Sequence, residues 1–385
     1  MARRAKAAEG QSIQYTTLKV RLYPTPAQAE LSEKTFGCCR YIWNQMLSDQ
    51  ERFYDETGTH FIPTPAKYKN SAPFLKEVDN QALTQEYNKL AQAFRAFFRD
   101  PGTFNHPKFK RKKDDRDSFT ACNHEFESGP TIYITKDGIR MTKAGIVPAK
   151  FSQRPQAWWK LKRITVSKTK TGKYYCSVLY ECPVKQPVPV TPTAETTLGL
   201  KYSMGHFYVA DNGVTVDPPR WLRQSQEKLA RMQQKLARME PGSRNYEETV
   251  QKYRLLYEHI ANQRRDFIHK ESSRIANGWD AVCVRSDALD ELSETLTRSR
   301  STVRDSGYGM FRELLRYKLE RQGKALILVD RYAPTARTCS ACGRLREAVD
   351  YGAKSWTCPR CGTVHDREVN AARNIKKEGL AQLCA

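Results

Sequence analysis

The chain has 385 residues, enough for two or three domains, and its 65 lysines and arginines against 42 acidic residues give a formal charge of +23. A surplus of that size points to a polyanionic partner, because neutralising phosphates releases counterions. No apolar run approaches the ~20 residues of a membrane span, and "MARRAKAAEGQ" lacks an apolar segment after its charges, so neither a membrane protein nor a secretory signal is expected.

Residues 1–12 read as a disordered basic tail, and "IQYTTLKVRLYPT" (13–25) as a strand ending in a turn. A helix follows, with Leu31, Phe36, Cys39, Ile42, Trp43, Met46 and Leu47 at helical spacing and Gly58 as its stop. A second helix runs from about Asn80 to Phe98. "FNHPKFKRKKDDRDSFT" (104–120) is a basic run with interleaved aromatics. In it Lys108, Lys110, Arg111, Lys112, Lys113 and Arg116 are candidates for phosphate contacts, while Phe109 and Phe119 suit either base stacking or core packing. From 131 to 180 the pattern is of strands, with hairpin turns at Lys136-Asp137-Gly138 and within "KTKTGKYYCSVLY". "PVKQPVPVTPTAETT" (183–197) has no periodicity and reads as a linker.

Beyond the linker, "TTLGLKYSMGHFYVADNG" (196–213) alternates as two short strands, the first ending at Lys201. Leu222, Leu229, Met232, Leu236 and Met239 form an apolar seam that resumes over 246–275, which predicts a helical hairpin. Strands "DAVCV" (280–284) and "KALILVD" (324–330) flank a further helix at 309–323. This order predicts an α/β arrangement on a mixed sheet.

Four of the eleven cysteines, Cys339, Cys342, Cys358 and Cys361, form two CxxC pairs fifteen residues apart, and the other seven are scattered. The doubled pair predicts two knuckles around one tetrahedral Zn²⁺; with four thiolates the site is closed, hence structural. Scattered cysteines without a framework point to a reducing, cytoplasmic compartment.

"DRYAPTARTCSACG" (330–343), the second knuckle and "GTVHDREVNAARNIKKEGL" (362–380) together closely resemble the C-terminus of the TnpB family, transposon-encoded RNA-guided nucleases related to type V CRISPR effectors. "LKVRLYPTPAQAELSEKTFGCCRYIWNQML", "HPKFKRKKDDRDSF" and "HIANQRRDFIHKESSRIA" are similar to further family segments, so the resemblance covers most of the chain. It implies a multidomain α/β protein: a wedge β-barrel at 13–30 and 125–185, a helical recognition lobe at 31–124, a linker at 186–197, a ribonuclease-H-like RuvC domain at 198–332 and 365–380, and an inserted zinc ribbon at 333–364. It also implies a guide RNA derived from a transposon end, a double-stranded DNA target with a short flanking motif, and bacterial, nucleoid-associated work as a monomer on the guide. Lys76, Asn80, Gln81 and Thr84, placed on the second helix, resemble the region that reads the flanking motif.

The family's RuvC site uses three carboxylates on two Mg²⁺ ions. Here the first position is Lys201, the second is Arg285, and the third acid corresponds to Asp366, with Asp287 a possible relocated second acid. Two cations in such a site oppose magnesium: at about 4 Å and an effective dielectric near 20, one unit of like charge costs about 4 kcal/mol, and a dication doubles it. The expectation is therefore no catalytic Mg²⁺ and no catalytic residues, with Lys201 and Arg285 paired to Asp366. The pattern resembles nuclease-dead TnpB-like repressors that block RNA polymerase; the alternatives are an active or nicking endonuclease and a non-catalytic transposon accessory protein that binds RNA.

Overall fold

The computed structural model describes residues 11–113, 117–203, 205–217, 219, 221–286, 307–347 and 353–384. Two compact units divide between Lys185 and Gln186.

In the first unit, β1 (Gln11–Leu22) begins two residues inside the expected tail and pairs along its length with β9 (Tyr174–Lys185). Alternation in β1 buries Val20 and Leu22 and leaves Tyr15 and Lys19 exposed. These strands, with β2 (Ser118–Cys122), β5 (Tyr133–Ile134), β6 (Gly138–Met141), β7 (Gly145–Lys150) and β8 (Lys160–Lys168), make a seven-stranded sheet in the order β2-β8-β9-β1-β7-β6-β5. A separate ribbon joins β3 (Glu125–Phe126) to β4 (Gly129–Pro130). Phe119 and Ala121 near one end of the sheet share a core with Ile139 and Met141 near the other. β2 falls where the helical lobe was expected, and its Phe119 packs on Phe36 at 5.7 Å as a core residue, which removes it as a base-stacking candidate.

The helices of this unit start and stop on local signals. Thr25 and Gln28 form a capping box ahead of α1 (Pro26–Thr57), and Gly58 ends it at φ 67°. Asp79 caps α2 (Asn80–Arg99). The two helices close over Ile42, Met46, Leu47, Leu83, Leu90 and Phe94.

The second unit holds a five-stranded sheet in the order β12-β11-β10-β13-β14, made of β10 (Thr197–Lys201), β11 (Tyr208–Ala210), β12 (Thr215–Val216), β13 (Ala281–Arg285) and β14 (Ala325–Val329). β10, β13 and β14 run parallel, and β11 and β12 are antiparallel. The parallel strands read as continuous apolar runs because both faces are covered. On one face Leu198, Leu200, Val282 and Val284 pack against α4 (Arg244–Gly278) and α5 (Tyr308–Glu320). On the other, Ala281, Cys283, Ile327 and Val329 pack with Ile375 of α6 (Arg367–Cys384). α3 (Trp221–Ala237) pairs with α4 as the predicted hairpin, tied by Gln233 Nε2 to the Tyr253 hydroxyl at 2.8 Å.

Contact between α6 and the sheet depends on missing side chains. A Cβ at Gly199 would lie 2.4 Å from the Ala372 carbonyl oxygen, and one at Gly379 would lie 2.3 Å from the Cys283 sulfur. Glycine at both positions lets α6 approach β10 and β13 closely, and this fixes where the helix N-terminus meets the strand ends.

Candidate functional site

Lys201 is the last residue of β10 and Arg285 the last of β13. Leu200 stands opposite Val284 in parallel register, so Lys201 and Arg285 end adjacent strands side by side. The fold thus sets side by side the two cations that the resemblance places at neighbouring site positions. Both are partly buried.

The carboxylate that meets Lys201 is not the expected one. Lys201 Nζ lies 3.2 Å from Glu368 Oε1 and donates to the Tyr202 carbonyl at 3.3 Å. Asp366 is occupied elsewhere: its Oδ1 accepts the amides of Glu368 and Val369, both at 2.9 Å, and so caps α6. The pairing of Lys201 with Asp366 is therefore corrected to Lys201–Glu368. The reason is helical geometry, since a capping side chain turns back along its own helix, while Glu368 in the first turn projects toward the strand ends. Arg367 adds a guanidinium 3.9 Å from the same Glu368 oxygen. The other carboxylate oxygen, Oε2, is buried without a hydrogen-bond partner among the described residues. Burial pushes the Lys201 ammonium below the usual lysine range; Glu368 opposes this, and the charges of Arg285 and Arg367 add to it. The lysine thus sits in an excess of positive charge. Asp287 lies outside the described residues.

The four cysteines converge. Cys339, Cys342, Cys358 and Cys361 place all their sulfurs within 4.8 Å of one another. Two of the separations, Cys339–Cys361 and Cys342–Cys358, are 3.7 Å. Four Zn–S bonds of about 2.3 Å at tetrahedral angles give edges of about 3.8 Å, so this donor set fits a structural zinc ion. The knuckles are built by Gly343 and Gly362, whose φ values of 77° and 70° close turns in which their amides return to the Cys339 and Cys358 carbonyls. β15 (Ser355–Thr357) and β16 (Val364–Asp366) complete the ribbon. It docks on α6 through two buried asparagines. Asn370 accepts from the Ser340 amide and donates to the Thr338 carbonyl, and Asn374 donates to the Thr335 and Thr338 carbonyls.

In the first unit, residues 108–110 lie along α1. The Trp43 indole donates to the Lys108 carbonyl at 3.0 Å, and Asn44 exchanges two hydrogen bonds with the Lys110 backbone. Lys108 and Phe109 are left exposed, as are Arg111, Lys112 and Lys113. Lys110 is different. Its ammonium lies 2.8 Å from Glu86 Oε2, a fully buried carboxylate that also meets Lys89 at 2.6 Å, and it covers the Trp43 ring at 4.3 Å. Lys110 is thus an anchor of the basic segment and not one of its open cations. Glu86 was missed by the sequence reading because its partner is 24 residues away. Arg116 lies outside the described residues.

Of the residues assigned to motif reading, Asn80 and Thr84 are one turn apart on α2, Thr84 donating its hydroxyl to the Asn80 carbonyl, and Gln81 is part-buried with its amide on Asp79. Lys76 is exposed but stands on a 3-10 turn (Pro73–Lys76) ahead of α2 and not on the helix.

A sheet of three antiparallel strands continued by two parallel ones, with a four-cysteine ribbon inserted before the last helix, defines a ribonuclease-H-like domain of the RuvC kind. Family models agree with the architecture: a "Probable transposase" model (OrfB of IS605) matches residues 177–295, a "Cas12f1-like, TNB domain" model matches 308–375, and a "Helix-turn-helix domain" model of the same OrfB group matches 14–59. That last segment folds here as β1 and the single long helix α1. The chain belongs to the TnpB/IS605 family. It is similar to a Streptomyces pristinaespiralis protein named "Putative RNA-guided DNA endonuclease", 28% identical over 373 residues, covering 94% of this chain and 89% of that one. The "Putative RNA-guided DNA endonuclease InsQ" of Escherichia coli K12 is 27% identical over 388 residues, covering 95% and 92%. Among solved structures, a Cas12f1 in complex with single guide RNA and target DNA shares the fold, with a TM-score of 0.50, 12% identity, and coverage of 96% of this chain and 99% of that one. Among the described residues, no helix is long and apolar enough to cross a membrane.

Proposed function

We propose that this protein is an RNA-guided DNA-binding protein that no longer cuts and acts by occupying its target, as a transcriptional repressor that obstructs RNA polymerase. One observation carries the reading: two cations, Lys201 and Arg285, stand at the ends of adjacent RuvC strands, and the carboxylate facing Lys201 is already held in an ion pair. Two-metal chemistry needs carboxylates converging on both ions. Here a dication would approach an ammonium whose pKa is lowered first by burial and further by the Arg285 and Arg367 charges, so a second positive charge is opposed. One oxygen of Glu368 is instead held by Lys201, which supplies the positive charge that a metal would otherwise bring to it.

The binding machinery is intact by the same reasoning. The relatives' names and the Cas12f1 complex support a guide RNA and target DNA as partners; a transposon-end origin of the guide is part of the proposal and rests on the sequence resemblance alone. The exposed Lys108, Lys112 and Lys113 supply phosphate contacts, sequence being read by guide pairing. Zinc in the ribbon is structural and catalytic magnesium has no role.

The test is a matched target incubated with the purified ribonucleoprotein and Mg²⁺, beside a Lys201→Asp, Arg285→Glu double variant. The native complex is expected to bind and leave both strands intact. Cleavage by the native complex at a rate typical of enzymes, about 1 per second or within a few decades of it, would overturn the proposal. Silencing is read separately from a reporter whose promoter matches the guide.

A further inference from the structure

His365 is not needed for the four-sulfur set, yet it is 3% exposed and its Nε2 lies 3.1 Å from the Cys339 sulfur. Its ring packs on Trp356 with centroids 4.7 Å apart, and the two residues face each other in the β15–β16 register. The Arg346 guanidinium covers the same indole at 4.5 Å. A metal-bound sulfur is a thiolate and can only accept, so the proton in this contact belongs to Nε2. We infer that His365 is a positioning residue that donates Nε2–H to the Cys339 thiolate, joining the metal knuckle to the strand that delivers the N-terminus of α6.

The connection runs over few bonds. Asp366, the next residue, caps α6 through the Glu368 and Val369 amides, and Glu368 faces Lys201. A donor to a metal thiolate withdraws charge from the sulfur and fixes its orientation, the role that hydrogen-bond partners of ligands fill in metal sites generally. The same bond holds β16 against the Cys339 knuckle, so loosening it releases both the sulfur and the start of α6. This step rests on zinc occupancy of the ribbon and not on the loss of cleavage.

Two variants separate the hydrogen bond from the packing. His365→Phe keeps a ring on Trp356 and removes the donor; His365→Gln removes the ring and offers an amide N–H. On the full chain loaded with zinc, release to a chromogenic chelator is expected to quicken about ten- to hundred-fold in His365→Phe and less in His365→Gln. Amide hydrogen exchange at Glu368 and Val369 is expected to quicken in the same order. Native release rates in His365→Phe would overturn the inference, as would equal effects of the two variants, which would assign the role to packing. Fast release with unchanged exchange at Glu368 and Val369 would break the link to α6. With Co²⁺ in place of zinc, the four-thiolate spectrum is expected to survive both substitutions; its loss would make His365 a ligand and overturn the donor role.

Discussion

The ribbon and the strand-end site are linked by the few residues from β16 to Glu368 in the first turn of α6, and they treat positive charge in opposite ways. At the ribbon, four sulfurs gather within 4.8 Å, an arrangement that is repulsive as thiolates until a dication enters. At the strand ends, Lys201 and Arg285 stand side by side, and Glu368 is paired to an ammonium. One site gathers donors that suit a metal ion, and in the other a carboxylate oxygen already meets an ammonium. The two sites thus place positive charge differently: the ribbon gathers donors that would take it from an ion, and the strand ends carry it on their own side chains.

The sharpest way to break this contrast is to remove the metal from the side that needs it. Replacing Cys342 and Cys358 by serine is expected to abolish zinc binding, measured as metal per chain by atomic emission, and to destabilise the second unit most of all the changes considered. The ribbon has a small core of its own around Trp356, so its order depends on the ion. A loss of even about 3 kcal/mol would lower the thermal midpoint by roughly 6–12 °C for a unit of this size. An unchanged midpoint would make the ribbon independent of its metal.

The converse change replaces the two cations at the strand ends by carboxylates. Lys201→Asp with Arg285→Glu is expected to create a divalent site with Glu368 as its third carboxylate, read as Mn²⁺ binding by electron paramagnetic resonance. A dissociation constant at or below about 1 mM, a gain of about 4 kcal/mol, is the expected scale. Adding Glu368→Gln to the double variant should remove that gain, whereas adding Asp366→Asn should not. The reverse pattern would reinstate Asp366 as the third acid.

That distinction marks where the sequence stops being readable. The helix stop at Gly58 and the four cysteines follow from local pattern and motif spacing, while the adjacency of Lys201 and Arg285 is what the family resemblance implies, and the structure places each as expected. The choice between Asp366 and Glu368 does not follow from spacing, because the two acids are two residues apart and only the start of α6 decides which turns inward. A signal was present: an aspartate directly before a helical run is a preferred cap, and a cap spends its oxygen on backbone amides. Lys110 was misread for a different reason. A basic run looks uniformly solvated until the fold supplies a buried acid, and Glu86 comes from another helix.

Lys201 also offers a pH signature of its own. Its folded-state pKa lies below the ordinary 10.5, so between the two values the unfolded chain holds more protons than the folded one. Stability therefore rises with pH across that window and is level below it. Denaturant midpoints measured from pH 7 to 10 are expected to climb less steeply in Lys201→Met than in the native protein. Parallel profiles would mean that the burial of Lys201 is not felt as charge.

The smallest expected effect falls on Asp366, and it tests whether this aspartate has left catalysis for structure. Asp366→Ala removes the side-chain acceptor for the Glu368 and Val369 amides, a loss of about 1 kcal/mol typical of a helix cap. In a unit this size that corresponds to roughly 2–4 °C in the midpoint, and Asp366→Ser should recover most of it. Silencing of a guide-matched promoter should survive both substitutions at 30 °C, since neither touches the exposed basic segment or the Lys201–Glu368 pair. If silencing failed in Asp366→Ala while the midpoint held, the aspartate would be acting on nucleic acid and not on its helix, and the contrast between the two sites would have to be redrawn around it.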